Sequence, residues 1–457
     1  MLEFNMPVHE GWNIVHIAMQ VPEGHQIYVC PENCLRGVVM TAYEMGAAGR
    51  FSCVSVSERD LIVDNLETVT IDGASDVVEE MHAGGEFPPV IFLFTVCSHR
   101  ILSCDFDYVF KTLREKYPDI IWVHAYMDCI AQKEGLYPDM KLRKAMYEFI
   151  PRTHSDEKIV NLLGSEVIAT KENNDIVAYY ESQGINVRQL SDIHTFDEYM
   201  QLGNACMNIC MYKSGDYGVE AFSERLGIPY HLMLPFFEDL DLPEIEKSKN
   251  ITEKNNGGLP TFSEVKEKYR EFQKQIENTP VVIDSMAIVC PYSLAEFMLD
   301  QGFNVIYVIS DGVPAYEKEI AERLDKKHPE LKTVLPADPR LREETYRKRL
   351  QNDLSNEKIN EVNADHKTNQ TEIMRAALQE DANDSADGLK VLAVGPMAAW
   401  VFNTPYFVNQ IENDGAYGKL GMLSLLEKMK DAIANPKPIE NTVLQKGIGS
   451  SRCCFTL

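Results

Sequence analysis

The chain has 457 residues, of which 45% are hydrophobic and 25% are charged, and its 44 basic and 70 acidic residues give a net charge of −26. This composition is ordinary for globular domains and excludes wholesale disorder, a collagen-like repeat and a small disulfide-stapled scaffold. An acidic surface repels phosphate backbones and anionic lipids, so the sequence predicts neither a nucleic-acid partner nor a membrane partner.

The amino-terminal segment lacks the basic region and apolar core of a secretory signal, and the longest apolar runs, such as Val90–Val96, are too short to span a bilayer. We therefore expect a cytoplasmic protein. In that compartment the eleven cysteines are core residues, metal ligands or redox thiols rather than a disulfide framework.

Short β-rich runs alternate with amphipathic helical stretches along the chain. The predicted strands are Gln26–Cys30, Phe51–Val56, Val90–Val96, Ile120–His124, Glu166–Thr170, Asn186–Leu190, Cys206–Met211, Pro280–Asp284, Asn304–Ile309 and Lys390–Gly395. The predicted helices are Leu35–Ala48, Ser75–Met81, Asp105–Lys116, Ile176–Gln183, Glu220–Leu226, Ser263–Glu277, Ser293–Gln301, Tyr316–Lys327 and Gly421–Ala434. Continuous apolar strands between helices indicate an α/β fold with mostly parallel sheets covered on both faces.

The length predicts about three α/β domains. We place them at residues 1–155, 156–262 and 263–457, with a linker at Pro151–Glu157. Residues 352–388 are polar and acidic and form a predicted insertion in the third domain, which ends in a carboxy-terminal tail.

Cysteines stand where two predicted strands give way to helices. Cys30 and Cys34 lie in the sequence YVCPENC, Cys97 follows the third predicted strand, and Cys104 comes seven residues later. Neighbouring parallel strands bring such ends together, and iron–sulfur clusters are held by thiolates from separate segments. Buried free cysteine is common in strands, so core packing stays open as the alternative, and we interpret Cys53 as a core residue.

Other positions carry weaker signals. Cys206 and Cys210 share one strand face, which favours core packing. His99 and His124 are placed where they can line a cleft. No P-loop or G-x-G-x-x-G motif follows a strand, so the chain is not expected to bind ATP or a dinucleotide through those devices.

The order of these motifs resembles the nitrogenase component 1-type superfamily, which includes nitrogenase α and β chains, cofactor-assembly scaffolds and tetrapyrrole reductases. YVCPENC is similar to the H-G-P-x-G-C motif and FTVC to the S-T-C motif, so the resemblance implies that Cys34 and Cys97 are cluster ligands. The family's first cluster cysteine has no counterpart. Cys30 is then the implied third ligand, and Cys104 and His9 are further candidates.

The carboxy-terminal half resembles the family's cofactor-binding segments but departs from them. Met207–Ser214 is similar to the segment with the nitrogenase cofactor cysteine, and that position holds Met211, or Cys210 in a shifted alignment. Asn409 stands where the family has the cofactor histidine, and Gln132 is retained in an earlier loop. The resemblance therefore implies a cleft near Gln132, Cys210, Met211 and Asn409, and it argues against dinitrogen reduction.

The resemblance implies a subunit of a nitrogenase-like oxidoreductase. Such a subunit pairs with a homologous or identical subunit, receives electrons from a separate ATP-dependent iron–sulfur reductase through an interface cluster of the [4Fe–4S] kind, and passes them to an acceptor that the sequence does not name. A second metallocofactor or a tetrapyrrole stays open as that acceptor, and no catalytic residue is assigned. The alternatives are a cofactor-assembly scaffold, a tetrapyrrole reductase subunit and, in another class, a cluster-free ligand-binding protein of three lobes.

Overall fold

The computed structural model describes residues 14–44, 46–63, 65–127, 136–154, 156–164, 171–244, 258–336, 338–352, 354 and 390–437. The described residues fall into two compact units. One unit draws on residues 8–169 and 180–234, and the other draws on residues 170–179 and 235–457.

The first sheet is a parallel four-stranded sheet in the first of these units. Its strands are β1 His25–Cys30, β2 Phe51–Ser55, β3 Val90–Val96 and β4 Ile121–Met127, in the spatial order β2-β1-β3-β4. Every residue of β1 and β3 is buried, because helices cover both faces of these central strands. The edge strands β2 and β4 are only partly buried.

Helices connect these strands and pack on the two faces of the sheet. They are α1 Ile14–Met19, α2 Glu32–Glu44, α3 Glu58–Ile62, α4 Leu66–Ala83, α5 Cys97–Ile101, α6 Phe106–Lys116 and α7 Pro138–Glu148. Apolar residues of α1, α2 and α7 belong to the core on one face, and those of α4 and α6 belong to the core on the other.

The second sheet lies in the same unit and shares the core that contains α7. Its parallel strands are β5 Asp156–Leu163, β6 Asn186–Arg188, β7 Ala205–Cys210 and β8 Tyr230–Leu232, in the order β6-β5-β7-β8. Its helices are α9 Phe196–Met200 and α10 Lys213–Leu226, and helix α8 Asp175–Ser182 is divided between the two units at residue 180. Val219 and Phe222 of α10 join Met146 and Tyr147 of α7 in one hydrophobic cluster.

The other unit contains a parallel five-stranded sheet. Its strands are β9 Pro280–Asp284, β10 Asn304–Ile309, β11 Lys332–Val334, β12 Leu392–Val394 and β13 Phe407–Val408, in the order β11-β10-β9-β12-β13. Its helices are α11 Phe262–Ile276, α12 Pro291–Asp300, α13 Lys318–Lys327, α14 Pro396–Phe402 and α15 Gly418–Ala434. Two separate apolar clusters cover its two faces.

The α/β fold class with parallel, helix-flanked sheets is confirmed, and one sheet falls within each of the three predicted segments. One element was wrong: the predicted linker Pro151–Glu157 overlaps the start of strand β5 Asp156–Leu163. The sequence pattern did not indicate this strand because its first three residues, Asp-Glu-Lys, are charged and only its second half is mostly apolar. The predicted strand Glu166–Thr170 and almost all of the insertion 352–388 lie outside the described residues. Among the described helices, none has the length and hydropathy needed to cross a membrane.

Candidate functional site

The carboxyl ends of β1 and β3 bring three of the predicted cysteines to one edge of the first sheet. Cys30 is the last residue of β1, Cys34 lies in the first turn of α2, and Cys97 is the first residue of α5 directly after β3. The register pairs Val29 with Thr95, so both strands end side by side. Hydrogen-bonded strands are about 4.8 Å apart, which is within the reach of cysteine side chains bound to a shared cluster.

Cys30 is the buried member of this group. Its side chain has no exposed surface and belongs to the core beneath α2. Burial, and to a lesser extent the neighbouring Cys34 and Cys53 thiols, raises the pKa of Cys30 to about 12. The thiol is therefore protonated at neutral pH, and an iron ion would have to displace that proton on binding.

Cys53 corrects one of the sequence interpretations, because it is exposed rather than part of the core. It lies on edge strand β2 in register with Tyr28, two residues before the position of Cys30 on the same face. The strand FSCVS is short and has serine at two of its five positions, and this composition is the signal that could have identified an edge strand.

The structure separates Cys104 from Cys30. Cys97 is partly buried at the edge already described. Cys104 is buried with Ile27 and Val29 in the cluster on the opposite face of the sheet. The structure therefore groups Cys30, Cys34 and Cys53 and places Cys97 on the adjoining strand end, but it does not bring Cys104 to Cys30. His9 lies outside the described residues.

The donors at this edge fit an iron–sulfur cluster in kind but not in number. Iron–sulfur clusters are bound by cysteine thiolates, and these cysteines lie where a strand ends and the next helix begins. Within the described ranges, however, no group of three or more His, Cys, Asp or Glu side chains is placed to hold a metal ion. A complete cluster site at this edge requires donors from outside the described residues.

Two neutral histidines lie on the face of the sheet opposite Cys30. The Nε2 atom of His99 is 3.3 Å from Thr70 Oγ1, and that of His124 is 2.9 Å from Thr95 Oγ1. Burial lowers the pKa of His99 to about 4 and that of His124 to about 3. His99 is fully enclosed, whereas His124 lines a cavity along β4, so one of the two residues expected at a cleft is found there.

The predicted cofactor residues of the second sheet are enclosed by protein. Cys210 and Met211 are both buried, and Cys210 Sγ donates to the carbonyl oxygen of Tyr212 at 3.1 Å. Gly164 has a φ of +88°, and a Cβ on it would overlap Cys210 Sγ, so the Cys210 side chain has room there only because this residue is glycine. Gln132 lies outside the described residues. Asn409 is half-buried just after β13 in the other unit.

Two buried carboxyl groups at the third sheet were not singled out by sequence reasoning. Asp284 ends β9 and accepts hydrogen bonds from the amides of Ala287 and Ala398 at 2.8 and 2.9 Å. Burial raises its pKa to about 6, although these amides oppose the shift. Glu317 accepts from the Ser293 amide at 2.7 Å, and burial raises its pKa to about 8. The sequence does contain a signal for Asp284: an acidic residue that directly follows the apolar run VVI of a predicted strand is expected to be at least partly buried.

Comparisons with known proteins identify a family from the sequence and a similar fold among solved structures. The sequence model described as nitrogenase component 1 type oxidoreductase matches residues 71–377. Among solved structures, "Nitrogenase Cp1 at pH 6.5" is similar with a TM-score of 0.58 and 11% identity over 97% of both chains. "Nitrogenase Cp1 at pH 5" has a TM-score of 0.46 and 14% identity over 70% of both. No curated protein sequence matches the chain.

The structural likeness concerns the fold, and the family match covers about two thirds of the chain in sequence. Together with the parallel sheets and the cysteines at their carboxyl ends, the match settles where the protein belongs: this chain is a member of the nitrogenase component 1 type oxidoreductase family.

Proposed function

We propose that this chain is an oxidoreductase subunit that receives single electrons from a separate ATP-dependent iron–sulfur reductase and passes them to a bound acceptor other than dinitrogen. Family members bind iron–sulfur clusters, work with an ATP-dependent iron protein and form oligomers. A cluster at the carboxyl edge of the first sheet would supply the one-electron relay. Cys34 and Cys97 are its proposed ligands, with Cys30 as the third.

The observation that supports this proposal is the position of Cys30, Cys34 and Cys97, which come from two segments distant in sequence and lie at the carboxyl ends of two adjacent parallel strands. Cys34 and Cys97 also lie in the first turns of helices, a position that is common for cysteines that bind metals. Buried cysteines that serve only the core have no need of this placement.

Exposed apolar side chains at the same edge support a subunit interface. Helix α3 follows β2 and helix α5 follows β3, so both lie where the cysteines are. Ile62 at the end of α3 is 82% exposed, and Ile101 at the end of α5 is 66% exposed. Exposed apolar side chains are typical of surfaces that another subunit covers, and such a subunit would supply the donors that the described residues lack.

The departures at the proposed acceptor site support an acceptor other than the nitrogenase cofactor. Asn409 offers an amide in place of the imidazole, and Met211 is a thioether enclosed in the core. A carboxamide is a weaker ligand for iron than an imidazole, and burial keeps the Met211 thioether away from a bound cofactor.

Iron content tests the proposal. We expect protein purified without oxygen to be brown and to contain iron, and we expect Cys34→Ala and Cys97→Ala each to lose most of it, because each removes a thiolate from a shared cluster. Cys206→Ala is the matched control, since Cys206 is also partly buried but lies on β7 and donates to the carbonyl of Ile159. Colourless wild-type protein without iron, or equal iron in all three variants, would support a cluster-free ligand-binding protein instead.

Electron transfer separates a reductase subunit from an assembly scaffold. We expect the visible absorbance of the iron-loaded protein to bleach on mixing with an ATP-dependent iron–sulfur reductase and MgATP, and not to change without ATP. A scaffold would instead give up its iron to an acceptor protein without bleaching. The presence of a gene for such a reductase beside that of this chain would support the proposal independently.

A further inference from the structure

Helix α5 holds Cys97 at its first position and is too short to be stable by itself. It has five residues, Cys97–Ile101, whereas isolated helices shorter than about 12 residues are marginal in water. Contacts with the rest of the unit therefore fix its place. All five residues of α5 are described, and His99 is buried, whereas the other four are partly buried or exposed. The position of Cys97 thus depends on how His99 is held.

Both ring nitrogens of His99 have partners. Nδ1 accepts a hydrogen bond from the amide of Val96 at 3.4 Å, and Nε2 is 3.3 Å from Thr70 Oγ1. Because the Val96 amide is the donor, the ring carries its proton on Nε2, which faces the Thr70 hydroxyl. Thr70 belongs to α4 and has no exposed surface. The ring therefore joins the end of β3 to a helix that covers the sheet.

His99 takes the place that glutamate or glutamine has in a capping box. Val96 directly precedes α5 and His99 is the third residue of the helix, so the His99 side chain can accept from the amide at the helix start. Val96 has no side-chain acceptor with which to cap the helix itself. Its amide is the last one before that of Cys97, so holding it sets the direction in which the chain leaves β3 toward the thiol.

The other end of α5 is closed through the same residue. The carbonyl oxygen of His99 accepts from the amide of Cys104 at 2.8 Å, and Ser103 has a φ of +55°. A hydrogen bond of this kind ends a helix in a left-handed turn. His99 therefore anchors the start of α5 through its ring and the end of α5 through its main chain.

We propose that His99 is the positioning residue of Cys97. It holds the turn between β3 and α5, so that the Cys97 sulfur stays at the carboxyl edge of the first sheet, on the strand end next to that of Cys30. The role of this positioning in a cluster rests on the proposed function, in which Cys97 is a ligand. The positioning itself is a property of the iron-free chain and is measurable there.

The first test is the rate at which Cys97 is alkylated in iron-free full-length protein, read for each cysteine-containing peptide by mass spectrometry. We expect His99→Leu to raise this rate about fivefold, because the start of α5 opens more often when its amide loses the acceptor. We expect His99→Gln to stay near wild type, since a carboxamide can accept from the Val96 amide and donate to Thr70. Cys206, on β7, is the internal reference and should keep its rate in every variant.

Two further variants separate positioning from general destabilisation. Thr70→Val removes the hydroxyl and keeps the branched shape of the side chain, so we expect a smaller rise at Cys97, which is measurable even if His99→Leu does not fold. His25→Leu is the matched control. His25 is also buried, and its Nε2 is 2.8 Å from Ser52 Oγ, but it begins β1 at the amino edge of the same sheet. We expect this variant to leave the Cys97 rate unchanged.

The second test uses protein loaded with iron in the absence of oxygen. We expect His99→Leu to retain less iron than His99→Gln and to alter the electron paramagnetic resonance signal of the reduced cluster, because the Cys97 sulfur is displaced. Wild-type protein that takes up no iron would contradict the proposed function, whereas the alkylation rates would still decide whether His99 positions Cys97.

Three results would overturn the inference. One is an equal Cys97 rate in wild type and His99→Leu, and another is the same rise at Cys206 as at Cys97, which would indicate general loosening of the fold. The third is a His99→Gln variant as reactive as His99→Leu, which would show that the hydrogen bonds of the ring do not hold the turn.

Discussion

At the residue scale, burial rather than neighbouring charge is the main cause of the raised pKa values of one thiol and two carboxyl groups. Cys30, Asp284 and Glu317 all have raised pKa values because water is excluded from them. Of these two carboxyl groups, Glu317 has the higher pKa. One of its oxygens accepts from the Ser293 amide at the start of α12, and the other is buried without a partner among the described residues.

Glu317 predicts a pH dependence of stability. A carboxyl whose pKa is raised to about 8 holds a proton in the folded state that the unfolded chain has already released above its ordinary pKa of 4.5. Its contribution is therefore complete in acid, and stability falls as the pH rises toward about 8. We expect Glu317→Gln to lose less stability than wild type between about pH 6 and about pH 8.

Urea midpoints at the two pH values measure the effect. Glu322→Gln on the exposed side of α13 is the control and should follow wild type. Parallel pH profiles for wild type and Glu317→Gln would contradict a raised pKa at this position.

At the element scale, side chains distant in sequence fix the ends of helices. The carboxylate of Asp175 accepts hydrogen bonds from the amides of Lys419 and Leu420, at 2.9 and 2.8 Å, and so caps α15. Gly418 has a φ of +63°, and a Cβ on it would overlap Asp175, so glycine is required for the carboxylate to approach. Residues 171–175 and 415–420 are thereby tied together across the length of the chain.

This cap predicts a local loss of stability. We expect Asp175→Ala to lower the free energy of unfolding by about 1–2 kcal/mol, because two amides at the start of a long helix lose their acceptor. Asp239→Ala is the matched control: Asp239 pairs with the side chain of Lys419 at 3.2 Å but is exposed and contacts no helix amide. Its expected cost is below about 1 kcal/mol. Equal urea midpoints for the two variants would show that Asp175 does not stabilise the protein by capping α15.

At the scale of the whole molecule, the carboxyl edge of the first sheet is the surface that we expect a second subunit to cover. Ile62→Glu and Ile101→Glu place charges among apolar side chains there, so we expect either variant to shift the mass in light scattering toward the single chain. Phe87→Glu is the control. Phe87 is 70% exposed but precedes β3, so it lies at the amino-terminal ends of the strands, away from the cysteines. A wild-type mass equal to one chain, or dissociation by Phe87→Glu alone, would exclude this edge as the interface.

The sequence predicts the elements better than it predicts how they pair. Val90–Val96 is almost entirely apolar and is predicted as a strand, which the structure confirms, and the family resemblance follows from the cysteines beside it. The edge position of Cys53, the separation of Cys104 from Cys30 and the cavity along β4 depend on strand order. Strand order is set by contacts between residues far apart in sequence, which local patterns do not encode.

The order of strands in the five-stranded sheet has a consequence for how this protein can vary. Strand β11 is at one border of the sheet, and β12 pairs with β9 on the far side of β10, so residues 335–391 join two strands that never touch each other. Strand pairing therefore sets no fixed length for this connection. Relatives with a much longer or shorter connection at this point can keep the same sheet, which makes it a natural place for lineages to diverge.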